Sequence, residues 1–275
     1  MIYLNRFTFP SDKEMDVRFG SSYPYGVLSF CLTEIKFESM TILYGNNGSG
    51  KTTALNIIAE KLKINRDSIF NQSNDFPEYV NVCKADIQNK IPENSRIITS
   101  DDVFDYMLEM RCLNNGIDLK REDICQEYLD AKYSHFQLKS IADYDELKKV
   151  TKARSKTQTQ FEKSKLIGNV IEYSNGENAF RYFTEKIGEQ GLYILDEPEN
   201  SLSPNKQLEL KKFIEDSARF FGCQFIISTH SPFLLSMQGA KTYDLDERPA
   251  KVKQWTELEN VRIYRNFFKL NDNKF

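Results

Sequence analysis

The sequence lacks any run approaching the roughly 20 consecutive apolar residues that cross a bilayer. Its longest apolar runs, such as Leu192 to Leu195, have the length of buried strands. A membrane-inserted protein is therefore not expected. Cysteine is scarce and scattered, with five residues at 31, 83, 112, 125 and 223 and no Cys-x-x-Cys pair. Such thiols read as buried and reduced, not as a disulfide frame or a zinc site. Only two histidines occur, His135 and His230. That excludes a multi-histidine metal site and leaves a Ser-His-Asp hydrolase few candidates. A surplus of charge is also missing: 37 Lys+Arg against 40 Asp+Glu give a net of −3. A globally basic nucleic-acid binder is excluded; a local basic patch is not. Asn5 and Arg6 interrupt the apolar residues of Met1 to Pro10. The start does not resemble a secretory signal, and a cytoplasmic location is expected. What is present is 275 residues, 40% hydrophobic and 28% charged, enough for a sizeable core and too apolar for disorder.

Two further absences mark the organisation. No glycine lies between Gly116 and Gly168, and no proline between Pro92 and Pro198. This tract, with recurring Tyr, Leu, Ile and Lys, predicts helices that fold back on themselves. As one straight helix, residues 117–167 would reach about 75 Å at 1.5 Å per residue. The sustained a/d periodicity of a coiled coil is absent. Before the tract, Gly26 to Cys31, Glu34 to Phe37 and Thr41 to Tyr44 read as strands, and Lys51 to Leu62 as a helix with a wide apolar face. Asp67 to Pro92 reads as polar and turn-like, and Arg96 to Thr99 as a short strand. After the tract come a strand at Leu192 to Leu195, a helix at Asn205 to Phe221 and a strand at Gln224 to Ser228. Alternating strands and helices predict a mostly parallel sheet.

Gly45-Asn46-Asn47-Gly48-Ser49-Gly50-Lys51-Thr52 fits the G-x-x-x-x-G-K-[ST] phosphate loop in full. Its glycines permit a tight turn whose backbone N–H groups converge on phosphate oxygens. The helix that opens at Gly50 points its positive end at the anion. Lys51 reaches the terminal phosphates, the Thr52 hydroxyl can ligand Mg²⁺, and Thr53 follows on the first helical turn. Further on, Leu192 to Leu195 runs into Asp196 and Glu197. The carboxyl ends of sheet strands are where α/β proteins bind ligands. Asp196 is placed to hold Mg²⁺ through water, and Glu197 to polarise a water that attacks the γ-phosphate.

These residues resemble the ABC-type ATPases, in particular the soluble branch of SMC, RecF and OLD-like proteins often described as AAA-family ATPases. Four more segments carry the resemblance. Ser174-Asn175-Gly176-Glu177 resembles the family signature, although the full L-S-G-G-Q is absent. Pro198 to Pro204 resembles the loop after the acidic strand. Ser228-Thr229-His230-Ser231-Pro232 looks like the switch-histidine motif, and Trp255 to Phe268 like the closing helix of short bacterial members. The ordered motifs span most of residues 41–237. The resemblance implies ATP and Mg²⁺ as ligands, and a homodimer that sandwiches nucleotide between the phosphate loop of one copy and Ser174 and Gly176 of the other. It also implies a γ-phosphate contact for His230, where the plain reading is a core histidine. For Ser174 the plain reading is a helix N-cap, with Glu177 completing a capping box. The glutamine loop of the family has no clear counterpart: Ser100-Asp101-Asp102 follows the strand at 96–99, while Gln72 and Gln88 lie earlier. No aromatic residue stands out as an adenine stacker.

The implied fold is α/β, a P-loop NTPase of ABC-ATPase type, with a mostly parallel core, an N-terminal antiparallel strand region and a helical insertion. The expected parts are residues 1–95 and 168–275 for the ATPase head and 96–167 for the insertion. The insertion is divided in charge: 12 acidic against 5 basic residues from Asp101 to Leu147, then seven basic residues against Glu162 from Lys148 to Lys165. Lys148, Lys149, Lys152, Arg154 and Lys156 form a candidate nucleic-acid contact. The alternative is a solvated face, or a basic segment paired with the acidic one beside it. An effector protein is a further candidate partner. The role expected is an ATP-dependent dimerising switch, in DNA repair or phage defence. The alternative is the energy-coupling subunit of a transporter, against which the variant signature, the T-H-S-P form and the insertion all argue. An OLD-type nuclease is not expected from the 45 residues after His230.

Overall fold

The computed structural model describes residues 1–10, 23–28, 31–134, 143–165 and 174–274. His135 lies outside the described residues, as does part of the strand expected over 26–31. The chain forms two compact units, residues 1–104 with 174–275, and residues 105–173.

The larger unit is built on three strands in which every residue is buried: β3 (Met40–Tyr44), β6 (Leu192–Asp196) and β7 (Gln224–Ser228). Strands covered on both faces read as continuous apolar runs, which is why these segments stand out in the sequence. They lie side by side and parallel, in the order β6-β7-β3. β5 (Arg96–Thr99) extends the sheet beside β6, and β8 (Lys241–Asp244) beside β3, both parallel. β9 (Lys251–Lys253) closes the edge antiparallel to β8. A second, antiparallel sheet pairs β1 (Leu4–Thr8) with β2 (Glu34–Lys36) and with β4 (Lys84–Ile87). The α/β architecture with an antiparallel N-terminal region is thus as expected. Helix α2 (Lys51–Leu62) packs Ala54, Leu55, Ile57 and Ile58, all fully buried, against β6 and β7.

Three differences from the sequence reading have local causes. Residues Tyr25–Leu28 form one helical turn, α1, not a strand. The amides of Val27 and Leu28 donate back to the Pro24 carbonyl, and Tyr25 and Leu28 are buried together at a spacing of three. The polar stretch 67–92 holds α3 (Phe76–Val82) and β4, whose exposed pattern hides its period. The boundary drawn at residue 96 precedes β5, which is a strand of the head's sheet; the compact units part at 104 and 174.

The smaller unit is helical. α4 (Ser100–Tyr133) begins in the larger unit and continues into this one, followed by α5 (Tyr144–Ser155) and α6 (Gln158–Lys163). Tyr128, Ala131, Ala153 and Phe161 form its core. Arg154 donates to the carbonyls of Ser134 (2.8 Å) and Lys132 (3.4 Å), at the C-terminal end of α4. Cationic side chains suit the orphan carbonyls there. Lys165 pairs with Glu127 at 2.5 Å, and Lys149 with Glu146 at 3.8 Å.

One buried side chain joins the two sheets of the larger unit. Gln224, fully buried on β7, accepts from the amides of Tyr3 (2.8 Å) and Leu4 (2.9 Å) and donates to the carbonyls of Leu4 (2.8 Å) and Glu38 (3.1 Å). Gln224→Leu strands these backbone groups without partners. It should destabilise the fold by roughly 3 kcal/mol or more, since each orphaned buried group costs about 1–3. Urea unfolding should show a lower midpoint at unchanged slope.

Candidate functional site

Parallel register places the candidate residues. Leu43 of β3 lies level with Ser228 of β7, which lies level with Asp196 of β6. Immediately beyond this row come Gly45, Glu197 and His230. The phosphate loop leaves β3 through Gly45, where a Cβ would stand 2.5 Å from Ser49 Oγ. Gly50, the N-cap of α2, has φ +95° and Leu28 pressed against it. Both positions require glycine. The Asn46 amide is held by the Asp246 carboxylate at 2.8 and 3.0 Å.

Lys51, Glu197 and His230 meet. Lys51 Nζ lies 2.9 Å from His230 Nε2 and 3.9 Å from Glu197 Oε1, and donates to the carbonyls of Gly45 (2.8 Å) and Asn46 (3.2 Å). His230 Nε2 lies 3.5 Å from Glu197 Oε1. Hydrogen bonding from His230, helped by Asn200 and by the charge of Lys51, holds the Glu197 carboxyl below its ordinary range against partial burial. Burial lowers the Lys51 ammonium, opposed by Glu197 and Asp196. Glu197 takes φ +48°, unusual for a residue with a side chain. Its N–H donates to both the carbonyl (3.0 Å) and the hydroxyl (3.1 Å) of Ser228, which hold it there.

Asp196 is 7% exposed. Burial pushes its carboxyl up, opposed by hydrogen bonds from the Ser228 and Thr52 hydroxyls. Thr52 and Asp196 open onto a cavity of about 650 Å³ lined also by Asn56, Gln72, Thr99 and Asp101. Among the described residues no cluster of three or more His, Cys, Asp or Glu could hold a metal by itself. A hydroxyl and one carboxylate fit Mg²⁺, which keeps waters and takes phosphate oxygens as its remaining ligands. Gln72 stands on this cavity; Gln88 does not, its amide pairing with the Tyr3 carbonyl at 2.8 Å.

Ser174 and Gly176 lie elsewhere. Ser174 caps α7 (Asn175–Lys186), and its amide and hydroxyl donate to Glu177 Oε2 at 3.2 and 3.1 Å, so the capping box is present. Gly176 sits against Ser201 and Ser203 in the loop that follows Glu197, and against Lys206 of α8 (Pro204–Phe220).

Sequence reasoning passed over three residues. Glu199, two beyond the acidic pair, accepts from the amides of His230 (2.6 Å) and Ser231 (3.1 Å) through Oε1. Among the described residues its Oε2 has no hydrogen-bond partner, and desolvation raises its carboxyl above the ordinary range. Its signal was its place in Pro198 to Pro204. Asp246 and Asn260 carried no local signal. Asn260 lies in α10 (Glu259–Leu270), 30 residues from the His230 carbonyl it binds.

A family profile described as "AAA domain, putative AbiEii toxin, Type IV TA system" matches residues 62–236. The chain belongs to this AAA-domain family. The match begins beyond the phosphate loop, so family membership and the loop are separate findings, and they agree on an AAA-type nucleotide-binding domain. No curated protein matches the chain in sequence. Similar solved structures include the Smc head domain with an extended coiled coil bound to the C-terminal domain of ScpA, from Pyrococcus furiosus. It is 13% identical at TM-score 0.43, covering 98% of this chain and 100% of that one. A dimeric ATP-binding cassette in a post-hydrolysis state, bound to ADP and Pi, is 12% identical at TM-score 0.42, covering 94% and 100%. The SMC head domain from Thermotoga maritima is 12% identical at TM-score 0.40, covering 92% and 99%. Among the described residues of this AAA-domain protein no helix is long and apolar enough to cross a membrane.

Asp196 gives a pH-dependent prediction. A carboxyl raised by burial favours the fold when protonated; that contribution is lost as pH rises through the folded pKa. At neutral pH the buried charge is a cost. Asp196→Asn should therefore raise Tm at pH 7, and the gain should shrink as pH falls through the raised Asp196 pKa. A Tm difference that grows on acidification would contradict the assignment.

Proposed function

We propose that the protein binds and hydrolyses ATP and works as an ATP-dependent homodimer. The observation that carries this reading is the meeting of Lys51, Glu197 and His230 at the end of three adjacent parallel strands, above a phosphate loop. The amides of Gly48 to Thr52 cradle the β-phosphate, with Asn46, Asn47 and Thr53 at the margins. Lys51 leaves the carbonyls of Gly45 and Asn46 for the terminal phosphates. Glu197, held ionised by its neighbours, accepts the proton of the attacking water, and His230 steadies the γ-phosphate. Thr52 and Asp196 would hold Mg²⁺, with Gln72 beside them, and the ion would neutralise charge on the phosphates.

Ser174 and Gly176 supply donors at a helix N-terminus, where an arriving phosphate displaces the Glu177 carboxylate. Gly176 lies against the 201–206 segment of its own chain, and no contact joins Ser174 or Gly176 to Lys51, Glu197 or His230 among the described residues, which supports their serving the phosphates of a second copy. This favours a sandwich with two nucleotides; a cytoplasmic location and coupling to an effector in DNA repair or phage defence are part of the proposal. Glu197→Gln should retain ATP and elute as a dimer with ATP-Mg²⁺, while Lys51→Ala stays monomeric and binds no nucleotide. A monomeric Glu197→Gln protein with ATP bound would sink the sandwich.

The basic segment supports a nucleic-acid contact in part only. Arg154 is occupied at the end of α4, Lys149 and Lys165 have acidic partners, and Lys148 also has an interaction of its own. Lys152 and Lys156 remain the best probes. Lys152→Glu with Lys156→Glu should abolish any stimulation of the ATPase by DNA without changing its basal rate. Equal rates with and without DNA in the wild type would remove nucleic acid from the account.

A further inference from the structure

The switch histidine stands on a short loop between β7 and α9 (Pro232–Leu235), yet its imidazole must meet groups on two other elements. Lys51 starts α2, and Glu197 directly follows β6. Contacts of 2.9 and 3.5 Å to these groups survive only if the backbone of residue 230 is fixed. Precision of about 0.5 Å is what such sites require.

The backbone is gripped from both sides. On one side Glu199 Oε1 accepts the His230 N–H at 2.6 Å. On the other, Asn260 Nδ2 donates to the His230 carbonyl at 2.6 Å. Asn260 makes a second tie: its own N–H donates to the Tyr44 hydroxyl at 3.1 Å. Tyr44 is the last residue of β3 and directly precedes Gly45 of the phosphate loop. One residue of α10 thus joins the strand that enters the phosphate loop to the loop that carries the histidine. The anchorage beneath it is firm, because Leu258 is fully buried with Ile42, Tyr44 and Leu235. Leu258 is the N-cap of α10, and Val261 of the first turn packs against the same cluster, while residues 262–270 are exposed. The start of the helix is therefore the part that the head holds, and it carries Asn260.

We infer that Asn260 is a positioning residue for ATP hydrolysis, fixing His230 through its carbonyl and making the first turn of α10 part of the catalytic apparatus. The inference rests on the ATPase reading above. Asn260 does not touch the nucleotide; its effect passes through His230. Losing it leaves phosphate binding by Gly48 to Thr52 in place and lets the imidazole drift from the γ-phosphate.

The test is steady-state ATP hydrolysis by wild type, Asn260→Ala, Asn260→Asp, His230→Ala and the His230→Ala/Asn260→Ala double variant, with Tm recorded for each. Asn260→Asp keeps the shape and loses the donor. Both Asn260 variants should lower kcat about 10- to 100-fold, the scale of a misplacement near 1 Å. KM for ATP should change less than about 3-fold, because ground-state binding is untouched. In the His230→Ala background, Asn260→Ala should change kcat less than about 2-fold, since residues acting as one unit are not additive. Wild-type kcat in Asn260→Asp overturns the inference. So does an equal loss in both backgrounds, which marks a merely structural role. If Asn260→Ala does not fold, Asn260→Asp alone and combined with His230→Ala gives the same two comparisons. A folded wild type that hydrolyses no ATP overturns the proposed function, and this inference with it.

Discussion

Everything at the site depends on the parallel register of β6, β7 and β3. Parallel strands end on the same side of a sheet, so the residues just beyond their carboxyl ends come to one place. Level pairing of Leu43, Ser228 and Asp196 turns three distant segments into one surface. A slip of one residue would turn the side chains of that strand to the opposite face. The buried hydrogen bond from the Ser228 hydroxyl to Asp196 and the paired Ser228 contacts to the Glu197 amide lock the β6–β7 step. Gln224 locks the other end of β7 to the N-terminal sheet. The geometry of the candidate site is thus set from both ends of one strand.

That geometry has a cost. Asp196 and Lys51 are charged groups taken largely out of water, and desolvation pushes each toward its neutral form. Glu199 is desolvated too, with one carboxylate oxygen on backbone amides and the other without a partner among the described residues. Buried charge of this kind rarely adds stability. It is offset where a ligand of opposite charge completes the set. On the proposed reading, the phosphates of ATP would be the counter-charge for Lys51, and Mg²⁺ that for Asp196. The same logic accounts for the positive φ at Glu197: local strain held by two hydrogen bonds points the carboxylate into the site.

Much of this is legible in the sequence because it is local. The phosphate loop is eight contiguous residues whose glycines meet steric demands, as Gly45 and Gly50 show. Buried strands such as β3, β6 and β7 announce themselves as apolar runs, and the patterns of α2 and β5 end where the elements do. The hidden parts are non-local or unpatterned. β4 is exposed and short, so its alternation carries no signal. The turn at Tyr25–Leu28 is too short for a helical period. Asn260 and Asp246 act on residues 30 and 200 positions away, and no spacing rule links them. The basic segment misleads for a related reason: charge counted along the chain does not show that Arg154 serves the end of another helix.

The most direct test of the account is a crystal structure of the Glu197→Gln protein with ATP and Mg²⁺. The account predicts that Lys51 Nζ has left the carbonyls of Gly45 and Asn46 for the terminal phosphates. It predicts His230 Nε2 on the γ-phosphate, and the partner subunit's Ser174 within hydrogen-bonding distance of the same group. Nucleotide held away from the Gly45–Thr52 loop, or a γ-phosphate contacted by neither Lys51 nor His230, would contradict it.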